Sequence, residues 1–312
     1  MRPGTKSVLP IVATELTRNW LWTRPQQVSF TASVAHRAST PAHRARLSGT
    51  RTRTGTGAFF WGADRKTDRW HGPVGCPRLE TGEVHVWRAH VPSILSVRSR
   101  LYGTLSSDER ARTDQFYFET DRHRFVVGRG VLRNILSTYL NIPAKNIRFS
   151  YGRHGKPAVS APTNVTDIHF NLAHSGDWIV CAAARARPVG IDIEYVRSNV
   201  NHEAMAELVF SDTDRRIFER IPPQTKLKSF FDAWTGKEAY VKAIGKGLSF
   251  PLCQVEGTLR RNSARPQSRV TSVQGAGRWS FCALDVGEGY AAALVVGGDV
   301  RKLRFLQWNQ CN

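Results

Sequence analysis

The stretch Val189–Arg197 reads VGIDIEYVR and places Asp192 and Glu194 two apart in an apolar run. On a strand that spacing puts both carboxylates on one face, with Ile191, Ile193 and Tyr195 on the other. Like charges this close raise each other's pKa unless a cation sits between them. Paired oxygen ligands suit Mg2+ or Mn2+, held by a few carboxylates together with phosphate oxygens and water. The plainer alternative is a solvated face paired with the chain's many arginines, and the DxE spacing by itself favours it. A second pattern lies downstream in AWTGKEAYVKAIGKG. There Glu238 and Lys242 stand four apart on one helical face, with Trp234 one turn earlier. As an ordinary helix ion pair they contribute about 0.3 kcal/mol. As chemistry, Glu238 is a candidate third metal ligand or general base. Lys242 is a candidate to neutralise phosphate charge or to protonate a leaving oxygen.

Two shorter stretches carry weaker signals. Gly152–Pro157, GRHGKP, is a turn whose backbone N–H groups and Lys156 can cradle a phosphate, or simply a β-turn. FNLAHSG sets His174 and Ser175 at the end of a strand, where a protonated His174 can donate to a phosphate. A lone turn histidine is an equally good account. Ser175 beside His174 makes no nucleophile pair, because neighbours in sequence rarely face each other and the GxSxG elbow is absent.

The elements that must position these residues follow from periodicity. EVHVWRAHV alternates as a strand, SSDERARTDQFYF reads as a helix capped by Ser106 or Ser107, and DRHRFVVGRGVLRNILSTYLN reads as a longer helix. IRFSYGRHGKPAV is strand, turn and strand; IHFNLAHSGDWIVCAAARA is a hairpin; PVGIDIEYV is another strand. NHEAMAELVFS, SDTDRRIFERI and KLKSFFDAWTGKEAYVKAIGKG follow as helices, the last closed by glycines. SVQGAGRWSFCALDVGEGYAAALVVGG reads as two strands around a turn. Each half thus carries helices and strands in a similar order. The fold class expected is α+β: two similar lobes, a pseudo-dimer, joined near Pro188–Gly190 with the active site in the cleft between them. The divisions expected are 1–80 as a basic extension, 81–188 and 189–300 as the lobes, and 301–312 as a tail.

Composition bounds the rest. The chain has 312 residues and 41% hydrophobic content, with 45 Lys and Arg against 25 acids and a formal net charge of +20. That balance points to an anionic partner: nucleic acid, a phosphorylated cofactor, an anionic membrane or an acidic protein. Residues 1–80 are rich in Arg, Ser, Thr, Gly and Ala and read as disordered, a composition that also suits an organelle transit peptide. The five cysteines, Cys76, Cys181, Cys253, Cys282 and Cys311, form no CxxC pair, which argues against a zinc site and a disulfide framework. No apolar run is long enough to span a membrane. The compartment expected is the cytoplasm, with organelle targeting by residues 1–80 left open.

Taken in order, GRHGKP, FNLAHSG, VGIDIE and FFDAWTGKEAYVKAIGKGL resemble the 4′-phosphopantetheinyl transferases, specifically the long Sfp-like group, from about Trp87 to Val296. The resemblance implies Mg2+-dependent transfer of the phosphopantetheine arm of coenzyme A to a serine of an apo acyl or peptidyl carrier protein, an acidic helical bundle. Adenosine 3′,5′-bisphosphate is released. It implies Asp192, Glu194 and Glu238 as metal ligands, Mn2+ serving in place of Mg2+, and Glu238 and Lys242 as catalytic groups. Lys156, His174, Arg112, Arg124, Lys237 and Lys242 are implied as contacts to the coenzyme. A single chain with both lobes implies a monomer. Two positions depart from the pattern. Ala173 stands where the family usually has serine, and Glu109 stands where the first cation of the upstream basic stretch is expected. The competing classes are a nucleic-acid-binding protein using the Arg-rich segment and a metal-dependent nuclease using the same carboxylates. The first has no RNP, zinc-finger or helix-turn-helix signature behind it, and the second shares the metal and is separated by whether coenzyme A or DNA raises the melting temperature in Mg2+.

Overall fold

The computed structural model describes residues 70–73, 75–160, 167–247, 250–259, 268–272 and 278–309. The expectation of disorder over 1–80 therefore falls, for 1–69, outside the described residues. Strand β1 (Glu83–His90) is followed by helices α1 (Arg98–Thr104), α2 (Ser107–Thr113) and α3 (Glu119–Leu140). The short strands β2 (Phe149–Tyr151) and β3 (Pro157–Val159) flank the GRHGKP turn. Next come β4 (Ile168–Ser175), β5 (Trp178–Arg185) and β6 (Val189–Tyr195). Helices α4 (His202–Val209), α5 (Asp212–Phe218) and α6 (Pro223–Ile244) follow, then β7 (Val255–Glu256), β8 (Ser268–Ser272), β9 (Trp279–Leu284), β10 (Tyr290–Gly297) and β11 (Lys302–Gln307).

Two sheets hold the molecule together. The first has four strands in the order β11-β1-β5-β4, and the second has five in the order β6-β10-β9-β8-β7. Each is backed by a helix of 22 residues, α3 on the first and α6 on the second. Phe125, Leu132, Ile135 and Leu136 of α3 pack on Trp87, Phe170, Ile179 and Cys181 of the first sheet. The opposite face of that sheet, Val84, Val86, Val180 and Ala182, meets Ile191, Ile193, Leu294 and Val296 of the second. The outer face of the second sheet, Ala293 and Val295, packs on Ala239, Tyr240 and Ala243 of α6. The layers are therefore helix, sheet, sheet, helix, an α+β arrangement of two helix-backed sheets. It explains why β5 and β6 are buried on both faces.

Polar side chains cross between the halves. Asn171 of β4 accepts the Ile191 backbone N–H through Oδ1 at 2.8 Å. The Lys156 ammonium, from the first half, donates to the carbonyls of Val189, Lys242 and Ala243 at 2.9, 2.6 and 3.2 Å. It thereby caps the C-terminus of α6, where a cation is favoured.

Four expectations need correcting. The helix read over SSDERARTDQFYF stops at Thr113, because Phe116 turns inward against Phe125 at 5.3 Å and the chain must reverse. Residues 302–307 are no tail: β11 pairs in parallel with β1, from Glu83–Lys302 to Arg88–Gln307. The ordered part begins before residue 81, since Leu79 lies in the core and Trp70 packs edge-on against Phe305 at 5.3 Å. Glu109 is no substitute for a surface cation. It closes a capping box with Ser106 and, 2% exposed, pairs with Arg129 Nε at 2.9 Å and Arg133 Nε at 2.7 Å. That buried ion pair ties α2 to α3.

Gly190 sits where α6 crosses β6. A Cβ there would lie 2.0 Å from the Ala239 carbonyl oxygen and 2.4 Å from the Ala243 nitrogen. Both are helix backbone and cannot yield. Gly190→Ala is expected to destabilise the protein by about 3 kcal/mol or more. Gly103→Ala, with nothing within 4 Å of its added methyl, is expected to be neutral or to stabilise by about 0.5 kcal/mol. Guanidinium unfolding midpoints compare the two.

His85 is fully buried beside Tyr139, whose hydroxyl accepts from Trp87 Nε1 at 2.6 Å and lies 2.8 Å from His85 Nδ1. Burial lowers the His85 pKa to about 4, against a partial opposing pull from Glu83. Below pH 6.5 the unfolded chain takes a proton here that the folded chain refuses until about pH 4. The stability tied to the neutral ring is therefore whole above pH 6.5 and falls as pH drops through that window. Between about pH 7 and pH 4 the wild type is expected to lose about 3 kcal/mol more than His85→Gln, read from denaturant melts.

Candidate active site

The site forms where β6 faces α6. The alternation of β6 sends Ile191 and Ile193 to the inter-sheet core and turns Gly190, Asp192 and Glu194 toward the helix. The absence of a side chain at Gly190 brings the helix close enough for its Lys242 to reach the strand. Lys242 Nζ lies 2.6 Å from Asp192 Oδ1, with side chains only 5% and 1% exposed. Glu194 and Glu238 are each 4% exposed. The solvated-face alternative is thus excluded for this strand.

The electrostatics follow from burial. Burial raises the Asp192 pKa, opposed by the Lys242 charge and hydrogen bond. Burial raises Glu194 well above the ordinary carboxylate value, and neighbouring Asp192 adds to this. A hydrogen bond from Ser175 Oγ to Glu194 Oε2 at 3.1 Å pulls the other way. His174 sits beside this group, and burial, then Lys242, then Arg124, lower its pKa to about 3. The imidazole is therefore neutral at ordinary pH, and an anion bound against it would favour the charged form.

The sequence-derived candidates divide. Asp192, Glu194 and Lys242 are brought together, and His174 is close enough for the Lys242 and Arg124 charges to act on it. Glu238 occupies α6 one turn before Lys242, on the helix that packs against β6. Trp234, one turn before Glu238 on the same helix, stacks on Phe230 with centroids 6.2 Å apart in an apolar cluster. Arg112 lies over the Phe125 ring at 5.2 Å, toward Arg129 and Tyr151. Two candidates have other work. Lys156 spends its three donors on the carbonyls named above, and burial lowers its pKa to about 8. Lys237 is fully buried with Nζ 2.6 Å from Asp214 Oδ2 and further bonds to the Leu252 and Val255 carbonyls, anchoring α6 to α5 and the following loop. Neither presents an ammonium to a ligand. Spacing alone missed Asn171, Ser175 as a partner of Glu194, Arg197, whose charge acts on Glu194, and Tyr290. Asn171, Ser175 and Tyr290 act across the two halves, so no local pattern marks them, whereas Arg197 lies only three positions from Glu194.

Among the described residues no cluster of three or more His, Cys, Asp or Glu is arranged to hold a metal ion. The donor chemistry still fits a hard divalent cation. Asp192 Oδ2 is buried without a hydrogen-bond partner, and Lys242 is the counter-charge common to two buried acids two positions apart.

Comparison with known proteins settles the family. A family model described as the 4′-phosphopantetheinyl transferase superfamily matches residues 188–295, and one described as 4′-phosphopantetheinyl transferase, N-terminal, matches 92–186. The 4′-phosphopantetheinyl transferase HetI of Nostoc sp. is 36% identical over 220 residues, 70% of this chain and 90% of HetI. The chain belongs to the 4′-phosphopantetheinyl transferase family. The 4′-phosphopantetheinyl transferase Sfp of Bacillus subtilis is 33% identical over 153 residues, 49% of this chain and 66% of Sfp. A solved holo-(acyl-carrier-protein) synthase from Bacillus anthracis, in complex with CoA (3′,5′-ADP), matches at 18% identity and a TM-score of 0.31. The match covers 36% of this chain and 96% of that one. The two family models divide this transferase between β5 and β6, one to each half.

The Asp192–Lys242 pair has a direct test. Lys242→Met leaves a buried carboxylate without its cation and is expected to cost this transferase about 3–5 kcal/mol. Adding Asp192→Asn is expected to return much of the loss. The double-mutant cycle is read from thermal and denaturant unfolding.

Proposed function

We propose that this transferase moves the 4′-phosphopantetheine arm of coenzyme A onto a serine hydroxyl of an apo acyl or peptidyl carrier protein, with Mg2+, or Mn2+ in its place. The observation that carries the reading is the buried Asp192–Lys242 pair, with Glu194 beside it and Glu238 on the facing helix. So much charge in one buried place has a use if the ligand is a pyrophosphate. The serine oxygen would form a bond to the phosphorus bearing the pantetheine arm. The bond from that phosphorus to the bridging oxygen would break, and adenosine 3′,5′-bisphosphate would leave with the electron pair.

In this reading Asp192 and Glu194, with Glu238, would hold the divalent ion, which supplies positive charge to the pyrophosphate oxygens. Glu238 accepts the serine proton. Lys242 offsets charge that develops on the leaving oxygen. His174, Arg124 and Arg112 meet the coenzyme's phosphates from the first half. Lys156 acts only through the α6 C-terminus that it caps, and Lys237 only through the position of α6. With Ala173 in place of serine, the coenzyme has one hydroxyl donor fewer and relies more on backbone N–H groups. We take the protein to act as a monomer on an acidic carrier, since one chain supplies both helix-backed sheets and carries a net charge of +20. Among the described residues no helix is long and apolar enough to cross a membrane. The nucleic-acid reading drew on residues 1–80, of which 1–69 lie outside the described residues.

Incubation with coenzyme A, Mg2+ and a panel of apo carrier proteins is expected to add the mass of one phosphopantetheine arm to at least one carrier. Asp192→Ala or Glu238→Ala is expected to lower the rate at least about 100-fold. Full activity in either variant, by the same mass shift, would overturn the assignment.

A further inference from the structure

Ser175 closes β4 beside His174, and its one hydroxyl proton is committed. A serine hydroxyl has one proton to donate. Its oxygen accepts the Tyr195 backbone N–H at 2.9 Å, and its proton goes to Glu194 Oε2 at 3.1 Å. One side chain of the first sheet thus holds both the carboxylate of Glu194 and the peptide that follows it. The turn carrying Ser175 is itself clasped from the second sheet. Gly176 has φ +54°, and a Cβ there would lie 2.4 Å from the Tyr290 hydroxyl oxygen. The Asp177 N–H donates to that oxygen at 3.1 Å. Tyr290 stands directly opposite Tyr195 in the β10–β6 register, and the two rings lie 5.2 Å apart. Ser175, Glu194, Tyr195, Tyr290 and the Gly176 turn form a closed circuit across the two halves.

A carboxylate on a strand keeps freedom about its own side-chain bonds, and a ligand loses affinity when a carboxylate must first be immobilised. Ser175 removes that freedom in advance. We propose that Ser175 is a positioning residue that aims the Glu194 carboxylate for phosphopantetheine transfer, and that the Tyr290 clasp holds Ser175 in register. This rests on the proposed function for the reaction, and on geometry alone for the positioning.

The test uses the full chain as wild type, Ser175→Ala, Ser175→Thr and Tyr290→Phe. Transfer is followed by carrier mass shift, and Mn2+ binding by paramagnetic resonance titration without substrate. Ser175→Ala is expected to lower kcat about 10- to 100-fold and to weaken Mn2+ by a similar factor. Its KM for coenzyme A is expected to stay within about twofold. The Ser175→Thr variant keeps a hydroxyl at this position and is expected to retain most of both functions. Tyr290→Phe is expected to fall between Ser175→Ala and wild type. Unchanged kcat and Mn2+ affinity in Ser175→Ala would overturn the proposal. So would losses that Ser175→Thr shares in full alongside a lowered melting temperature, since the role would then be packing. If wild type transfers nothing to any carrier, the proposed function fails, while the Mn2+ titration still decides the role of Ser175.

Discussion

Helix α6 crosses strand β6 at a point where no side chain separates them, and the site depends on that contact. Gly190 admits the helix backbone, and the helix then delivers Lys242 to Asp192 at 2.6 Å. A methyl group at position 190 would push the helix away and break the pair. Removing these charges from water is expensive, and their attraction repays it only when the geometry is good. The apolar layers supply that geometry. Ile191 and Ile193 lock β6 into the inter-sheet core on one side, and Ala239 and Ala243 hold α6 against Ala293 and Val295 on the other. The hydrophobic layers thus hold in place a polar layer that is costly by itself.

The two halves contribute unequally. The second supplies Asp192, Glu194, Glu238 and Lys242. The first supplies groups that border or brace them: His174, on which the Lys242 and Arg124 charges act, Ser175 and Asn171 by hydrogen bonds, and Lys156 by capping α6. Lys156 illustrates how position changes a residue's meaning. In the sequence it sits in a Gly-rich turn fit for a phosphate. In the fold three carbonyls occupy its donors, and it serves as a staple between halves. Glu109 shows the reverse. It looks like the loss of a binding cation, yet it is the acid that lets Arg129 and Arg133 be buried at all.

Much was legible beforehand because it is local. The alternation in VGIDIEYVR requires two faces on a strand, and the i, i+4 spacing of Glu238 and Lys242 requires one face of a helix. The glycines after Ile244 end α6 as expected, with Gly245 at φ +69°. β11 escaped notice although KLRFLQ alternates, because its partner β1 lies more than 200 residues away and only pairing makes it a strand. The helix over SSDERARTDQFYF was read too long because Phe116 is drawn to Phe125 by tertiary packing, which local propensity does not register.

The sequence by itself determined the residue types, their faces and, through the order of its motifs, the family. It could not decide whether Asp192 and Glu194 face water or a helix, since periodicity reports that a face is polar and not what covers it. The tertiary structure decided that: α6 covers them, burial raises their pKa values, and Lys242 becomes their counter-charge. It also decided which lysines remain available to a ligand. An ammonium's partners are set by carbonyls and carboxylates distant in the chain, and only folding brings those within hydrogen-bond reach.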